Sequence, residues 1–171
     1  MSKRETKFKD KMYALAGPQL KAGDAAPDFA CAMGLEVTKL ADTPKKARLF
    51  SVIPSLDTPV CSQQTKKFDS AIADFKDKVV CYTVSLDMPF AQKRFCTAEN
   101  VTNMQNLSDL HNQSFGKNYG VLIEGLNIPL LARAIFVVDK NNKITYCEYV
   151  PEVGQHPHYD NALGALKAAA Q

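Results

Sequence analysis

No run of Lys and Arg longer than two occurs in the 171 residues, and basic side chains exceed acidic ones by only +3, 21 against 18. A balance that small leaves no electrostatic footprint for nucleic acid. Long apolar runs are missing too. The longest, Val121 to Val138, is broken by Glu124, Asn127, Pro129 and Arg133, so it is no transmembrane helix. The first eleven residues are charge-rich, and only Met12 and Tyr13 stand before Ala14-Leu15-Ala16, where a secretory signal needs roughly 7–15 apolar residues. This segment reads as a frayed cytosolic tail, and the expected compartment is the cytoplasm. Repeats, low-complexity tracts and Gly/Ser linkers are absent. The expected layout is one domain over residues 23–171, with residues 1–22 part of it or leading into it.

Cysteine is sparse for a disulfide-stapled secreted scaffold, and the count of five is odd, so the thiols cannot all pair within one chain. No two lie closer than 15 positions. The absence of any C-x-x-C excludes the usual paired zinc ligands and the dithiol motif of thioredoxin-type oxidoreductases. Histidine is scarcer still. His111, His156 and His158 carry no local mark of a catalytic base or a metal ligand, and the last two are expected to face solvent. No G-x-G-x-x-G nucleotide fingerprint occurs. Thiols of a cytosolic chain are ordinarily reduced, so a disulfide here would be catalytic rather than structural.

What is present is an ordinary globular balance, 46% apolar and 23% charged. Asp28 to Met33 reads as a short strand after the turn Gly23–Pro27. Ala47 to Ile53 is an apolar run that reads as a buried strand, and Val79 to Ser85 is the clearest strand in the chain. Between them, Val60, Gln64, Phe68, Ala71, Ile72 and Phe75 form a helix face, with Pro59 at the first helical position and Thr58 at the N-cap. Asp87 and Pro89 open a second helix through Phe95 and Cys96. Ser108 is placed to cap a third over Leu110 to Tyr119, ended by Gly120. Ala134–Val138 and Ile144–Val150 flank the turn Asp139–Asn142 as a hairpin, and Asp160 to Ala170 closes the chain as a helix. This order calls for an α/β fold, a mixed central sheet with helices on both faces, which the thioredoxin arrangement meets.

Cys81 and Cys147 lie within strands and read as small buried hydrophobes. Nothing electropositive adjoins Cys31. Cys61 differs, because it lies at the start of a helix, where unpaired N–H groups and the helix dipole favour a thiolate. Position alone leaves it evenly divided between a reactive thiol and a core residue. A reactive one would attack a peroxide or an acyl carbon.

The stretch Ser51-Val52-Ile53-Pro54-Ser55-Leu56-Asp57-Thr58-Pro59-Val60-Cys61 resembles the active-site loop of peroxiredoxins, P-x-x-x-[TS]-x-x-C. Its wording is similar to the bacterial thiol peroxidase branch, the atypical two-cysteine subfamily. Pro89 to Cys96 resembles that branch's resolving-cysteine segment, and Leu130 to Asp139 its strand with the active-site arginine. The likeness runs from about Gly23 to the C-terminus, and three blocks stand in the right order.

The resemblance implies a thioredoxin-like fold and a role for each matching residue. Cys61 would be the peroxidatic nucleophile, oxidised to a sulfenic acid. Arg133 would favour the thiolate with a fixed positive charge and help hold the peroxide. Thr58 would give its hydroxyl to the thiolate and the peroxide, Pro54 would shape the loop and shield the thiolate from water, and the Cys61 N–H would be a further donor. Cys96 would resolve the sulfenic acid in an intramolecular Cys61–Cys96 disulfide, with local unwinding of either helix if the folded distance demands it. Thioredoxin would then reduce that disulfide, with no metal, haem or flavin. Members commonly form homodimers, for which the loop before Cys61 and the stretch Phe115 to Ile123 are the places to look. Leu56, Val60 and Leu130 lean toward alkyl hydroperoxides beside hydrogen peroxide. Two rivals remain: a one-cysteine peroxidase that uses an external thiol, and a non-enzymatic redox-responsive binding protein.

Overall fold

A computed structural model describes residues 4–171. The chain runs β1 (Glu5–Phe8), β2 (Lys11–Ala16), β3 (Ala30–Met33), β4 (Glu36–Lys39), β5 (Ala47–Val52), α1 (Pro59–Ala71), β6 (Val79–Ser85), α2 (Pro89–Ala98), β7 (Met104–Ser108), α3 (Ser114–Asn118), β8 (Leu122–Ile123), β9 (Ala134–Val138), β10 (Ile144–Tyr149) and α4 (Tyr159–Ala169). Seven strands form the main sheet in the order β10-β9-β5-β6-β7-β3-β4. The β5–β6 and β6–β7 pairs are parallel, and the outer pairs are antiparallel.

The adjacent strands β5 and β6, at the middle of the sheet, are buried at every residue, which is why they read as largely apolar runs rather than alternating ones. Successive side chains still point to opposite faces. Leu49, Cys81, Met104, Ile135 and Val137 pack with Phe68 and Ile72 of α1, Phe95 of α2 and Leu166 of α4. On the other face, Phe50, Tyr82, Leu107 and Phe136 pack with Phe29 and with Phe115 and Tyr119 around α3. The Phe115 and Tyr119 rings stack at 4.0 Å. Helices thus cover both faces of a mixed sheet, as the element order requires.

Two expectations are corrected. The charged N-terminus is no frayed tail where it is described; residues 1–3 lie outside the described residues. β1 and β2 pair as a hairpin, and β2 continues the pairing to β8. Thr6 is buried while Glu5 and Lys7 keep outward positions or backbone contacts, so the charges sit on the solvent side of a strand. Arg4 fastens the hairpin by donating to the carbonyls of Gly17 and Gly120 at 3.0 and 2.9 Å.

Ser108 does not cap a helix. It ends β7, and its hydroxyl donates to the Asp87 carbonyl. The buried Asp109 carboxylate takes the capping task, accepting from the N–H groups of Phe115 and Gly116 at 2.9 and 2.8 Å. The helix therefore starts at Ser114, later than expected, and Gly120 stops it with φ 70°, where a Cβ would collide with the Pro18 carbonyl.

Candidate active site

α1 begins where the sequence places it, with Pro59 in the first turn and Thr58 at the cap position in extended conformation. Its first backbone bond beyond the cap runs from Ser62 N–H to the Thr58 carbonyl at 3.0 Å. Cys61 lies just ahead of it, among N–H groups that an α-helix leaves without partners. Its side chain is wholly buried.

Arg133 stands one position before β9, and strand alternation puts it on the same face as Ile135 and Val137, toward α1. It is 2% exposed, and among the described residues no carboxylate pairs with it. Its Nη2 donates to Cys61 Sγ at 3.3 Å. Nε and Nη2 both donate to the Val153 carbonyl, at 3.0 and 2.7 Å, and Nη1 donates to Gln64 Oε1 at 2.9 Å. The guanidinium is thus held by neutral acceptors while one of its N–H groups faces the Cys61 sulfur.

Pro54 and Thr58 line the same pocket as Arg133, a hollow of about 350 Å³ with Phe8, Val60, Leu130 and Val153 on its walls. Pro54 is buried. The Thr58 hydroxyl departs from expectation: it makes no cap bond and donates to the Ser55 carbonyl at 3.0 Å, not to Cys61. Leu56 is also displaced from its expected place, since it is buried and lines a neighbouring hollow rather than this one. Much of the stretch Phe115–Ile123 is interior as well, with Phe115, Tyr119 and Val121 fully buried in the chain's own core.

Cys96 stands apart from this group. It lies on α2, half-buried, at a larger open groove of about 690 Å³ lined also by Met33, Leu35 and Phe90. Its Sγ accepts from Asn106 Nδ2 of β7 at 3.0 Å. Burial raises its thiol above the ordinary value, and the Asn106 bond works against that rise. All five cysteines are free thiols. Burial pushes Cys31 and Cys81 strongly toward the neutral form, which suits inert core residues. His156 and His158 are exposed, as expected, although His156 Nδ1 meets the Tyr159 hydroxyl at 2.7 Å.

Three contributors were not assigned a role from sequence. Gln64 was visible as a polar residue on an otherwise apolar helix face; it joins Arg133 to Ser51, whose Oγ accepts from its Nε2 at 2.6 Å. Asp87 ties down the loop before Cys61, accepting from Ser55 Oγ at 2.8 Å and Leu56 N–H at 2.9 Å. Val153 left no signal, since it acts through its backbone.

A buried thiol bonded to a buried arginine at a helix start narrows the chemistry, and comparison with known proteins decides it. The redoxin family profile matches residues 21–163. The chain belongs to the redoxin family, among its peroxiredoxin enzymes. It is 46% identical over 166 residues to a thiol peroxidase of Clostridium acetobutylicum, covering 96% of this chain and 99% of the relative. A thiol peroxidase of Halalkalibacterium halodurans is 48% identical over 163 residues, covering 95% and 96%. Among solved structures, a peroxiredoxin-like protein from Aquifex aeolicus superposes with a TM-score of 0.89 at 38% identity, covering 97% of both chains. No helix among the described residues is long and apolar enough to cross a membrane.

Proposed function

We propose that this peroxiredoxin reduces hydroperoxides with Cys61 as nucleophile and Cys96 as resolving thiol. The observation that carries the reading is the 3.3 Å bond from Arg133 to Cys61 Sγ, made by a guanidinium that forms no ion pair among the described residues. The Cys61 thiolate attacks the terminal peroxide oxygen. The oxygen–oxygen bond breaks, the sulfur becomes a sulfenic acid, and the remaining oxygen leaves as water or an alcohol after taking a proton. Arg133 and the first-turn N–H groups are donors for the oxygens as charge develops on them. The apolar walls supplied by Phe8, Val60, Leu130 and Val153 suit the carbon chain of an alkyl hydroperoxide, and the hollow also admits hydrogen peroxide. Pro54 closes the loop over the thiol, and Thr58 reaches the bound peroxide if its hydroxyl leaves Ser55.

The Cys96 thiol then condenses with the sulfenic acid, giving a Cys61–Cys96 disulfide and water. A thioredoxin-type dithiol returns both cysteines to thiols in a reducing cytoplasm, and two copies of the chain associate through the face bearing the pocket. The deciding experiment is a one-equivalent peroxide titration of reduced protein, with alkylation under denaturing conditions and mapping of the cysteine peptides. Loss of two thiols with a Cys61–Cys96 linkage supports the cycle. Oxidised Cys61 beside free Cys96 points to the one-cysteine rival. No selective reaction at Cys61 ends the peroxidase reading for this site.

A further inference from the structure

Asn106 is an uneconomical residue for its position. It lies on β7, half-buried, on the face toward α1 and α2 shared with Met104, and it lines the groove beside Cys96. Its Oδ1 is buried with no hydrogen-bond partner among the described residues, and its Nδ2 has one partner, the Cys96 sulfur at 3.0 Å. A buried amide oxygen left unpaired costs stability. Among the described residues the only bond this side chain makes is therefore to the resolving thiol, and that bond is the one its placement serves.

We propose that Asn106 is a positioning residue for the resolving step, holding the Cys96 sulfur and stabilising it as the thiolate that attacks the Cys61 sulfenic acid. The inference rests on the reading of Cys96 as the resolving cysteine. An amide suits the task because it has two settings. Its N–H donates to a thiolate, and its oxygen, idle here, can accept the S–H of a thiol when the amide turns over. In the step itself the Cys96 sulfur forms a bond to the Cys61 sulfur and is oxidised. The sulfur–oxygen bond of the sulfenic acid breaks, that sulfur is reduced, and its oxygen departs as water with the proton that Cys96 gave up.

The charged groups near Cys96 do little to replace Asn106. Asp69 of α1 opposes the thiolate, while Lys93 of α2 shares the groove lining and makes no hydrogen bond to the sulfur among the described residues. Burial opposes it too. The amide is thus the principal local group favouring the anion.

The test is rapid mixing of reduced protein with one equivalent of hydrogen peroxide, following sulfenic acid at Cys61 by dimedone trapping and then the Cys61–Cys96 linkage. In Asn106→Ala the first phase keeps its wild-type rate. The second slows roughly tenfold at neutral pH, the lower end of what a hydrogen bond to a charged group is worth. The deficit closes as pH rises, because Cys96 then ionises unaided. Asn106→Ser, which keeps a donor, recovers part of the rate, and Asn106→Asp is slower than alanine because it adds a like charge. A second phase unchanged in Asn106→Ala, or slowed equally at every pH, overturns the proposal. Absence of any Cys61–Cys96 linkage in the wild type instead overturns the resolving role of Cys96, and this inference with it.

Discussion

Gln64 Oε1 accepts from Arg133 Nη1 at 2.9 Å, so the acceptor beside the buried cation is an amide and not a carboxylate. Charge, rather than hydrogen-bonding capacity, separates the two. A carboxylate at this point would pair with the guanidinium through charge-assisted bonds and share the field that now acts on Cys61. Gln64→Glu is expected to lower the rate of iodoacetamide alkylation at Cys61 near neutral pH by roughly tenfold, the size of effect an adjacent charge commonly has on a titrating group. Gln64→Met, which loses the bond without adding charge, is expected to fall between wild type and Gln64→Glu. Equal rates in all three proteins would show that the neutrality of Gln64 is irrelevant.

Val153 links the site to the N-terminal hairpin. Its N–H donates to the Lys7 carbonyl at 2.9 Å, while its own carbonyl accepts from both Nε and Nη2 of Arg133. Phe8 and Lys9 at the hairpin turn line the pocket directly. Removing residues 1–16 should therefore leave the main sheet folded and still slow the reaction of Cys61 with peroxide. A misplaced catalytic group commonly costs roughly 10- to 100-fold, and that is the expected loss. Stopped-flow peroxide consumption, with circular dichroism as the folding control, measures it; an unchanged rate would make the hairpin only a cover.

Much of the candidate site was readable because most of its residues are close in sequence. Pro54, Thr58 and Cys61 fall within one loop and one helical turn, and α1 starts where Pro59 and Thr58 indicate. Arg133 was legible through the resemblance of its segment and through its apolar neighbours, which argue against a solvated arginine. Gln64 offered the same kind of signal, a polar residue on an apolar helix face, but its partner lies 69 positions away. The hairpin and β7 were missed for a physical reason. β1 is charged because one face meets water, and β7 carries few apolar residues and gains its place by pairing with β6. The capping of α3 was misassigned by one residue, from Asp109 to Ser108, because the sequence does not show that Ser108 ends β7 and donates its hydroxyl to the Asp87 carbonyl.

The core thiol and phenol groups make stability fall in alkali. Burial pushes Cys81 from 9.0 up to about 12, and Tyr82 from 10.0 up to about 12. Both groups are neutral when protonated, and the folded state binds that proton more tightly than the unfolded chain. Their contribution is complete below about pH 9 and is lost as pH rises from there through 12. Thermal unfolding midpoints are expected to decline over this window. Cys81→Val, of similar volume and without an ionisable group, should flatten the first part of the decline, between pH 9 and 10. A slope identical to wild type would place the alkaline sensitivity elsewhere.

The two thiols of the proposed cycle are engaged with different partners, Cys61 with Arg133 and Cys96 with Asn106. The two sulfurs must be brought together from these separate settings before they can join. A disulfide also requires Cα atoms about 4.4–6.8 Å apart, and both residues sit in intact helices, one in the first turn of α1 and the other inside α2. Helix ends open at little cost, whereas buried central strands open only with the whole fold. Oxidation should therefore unwind the start of α1, part of α2 or both, while β5 and β6 keep their protection. Amide hydrogen exchange compared between the reduced and oxidised protein is expected to accelerate across residues 58–66 and 88–100 and to stay constant in the central strands. Equal rates in both segments would mean that the disulfide closes within the folded frame, and that a side-chain rotation, not unwinding, brings the sulfurs together.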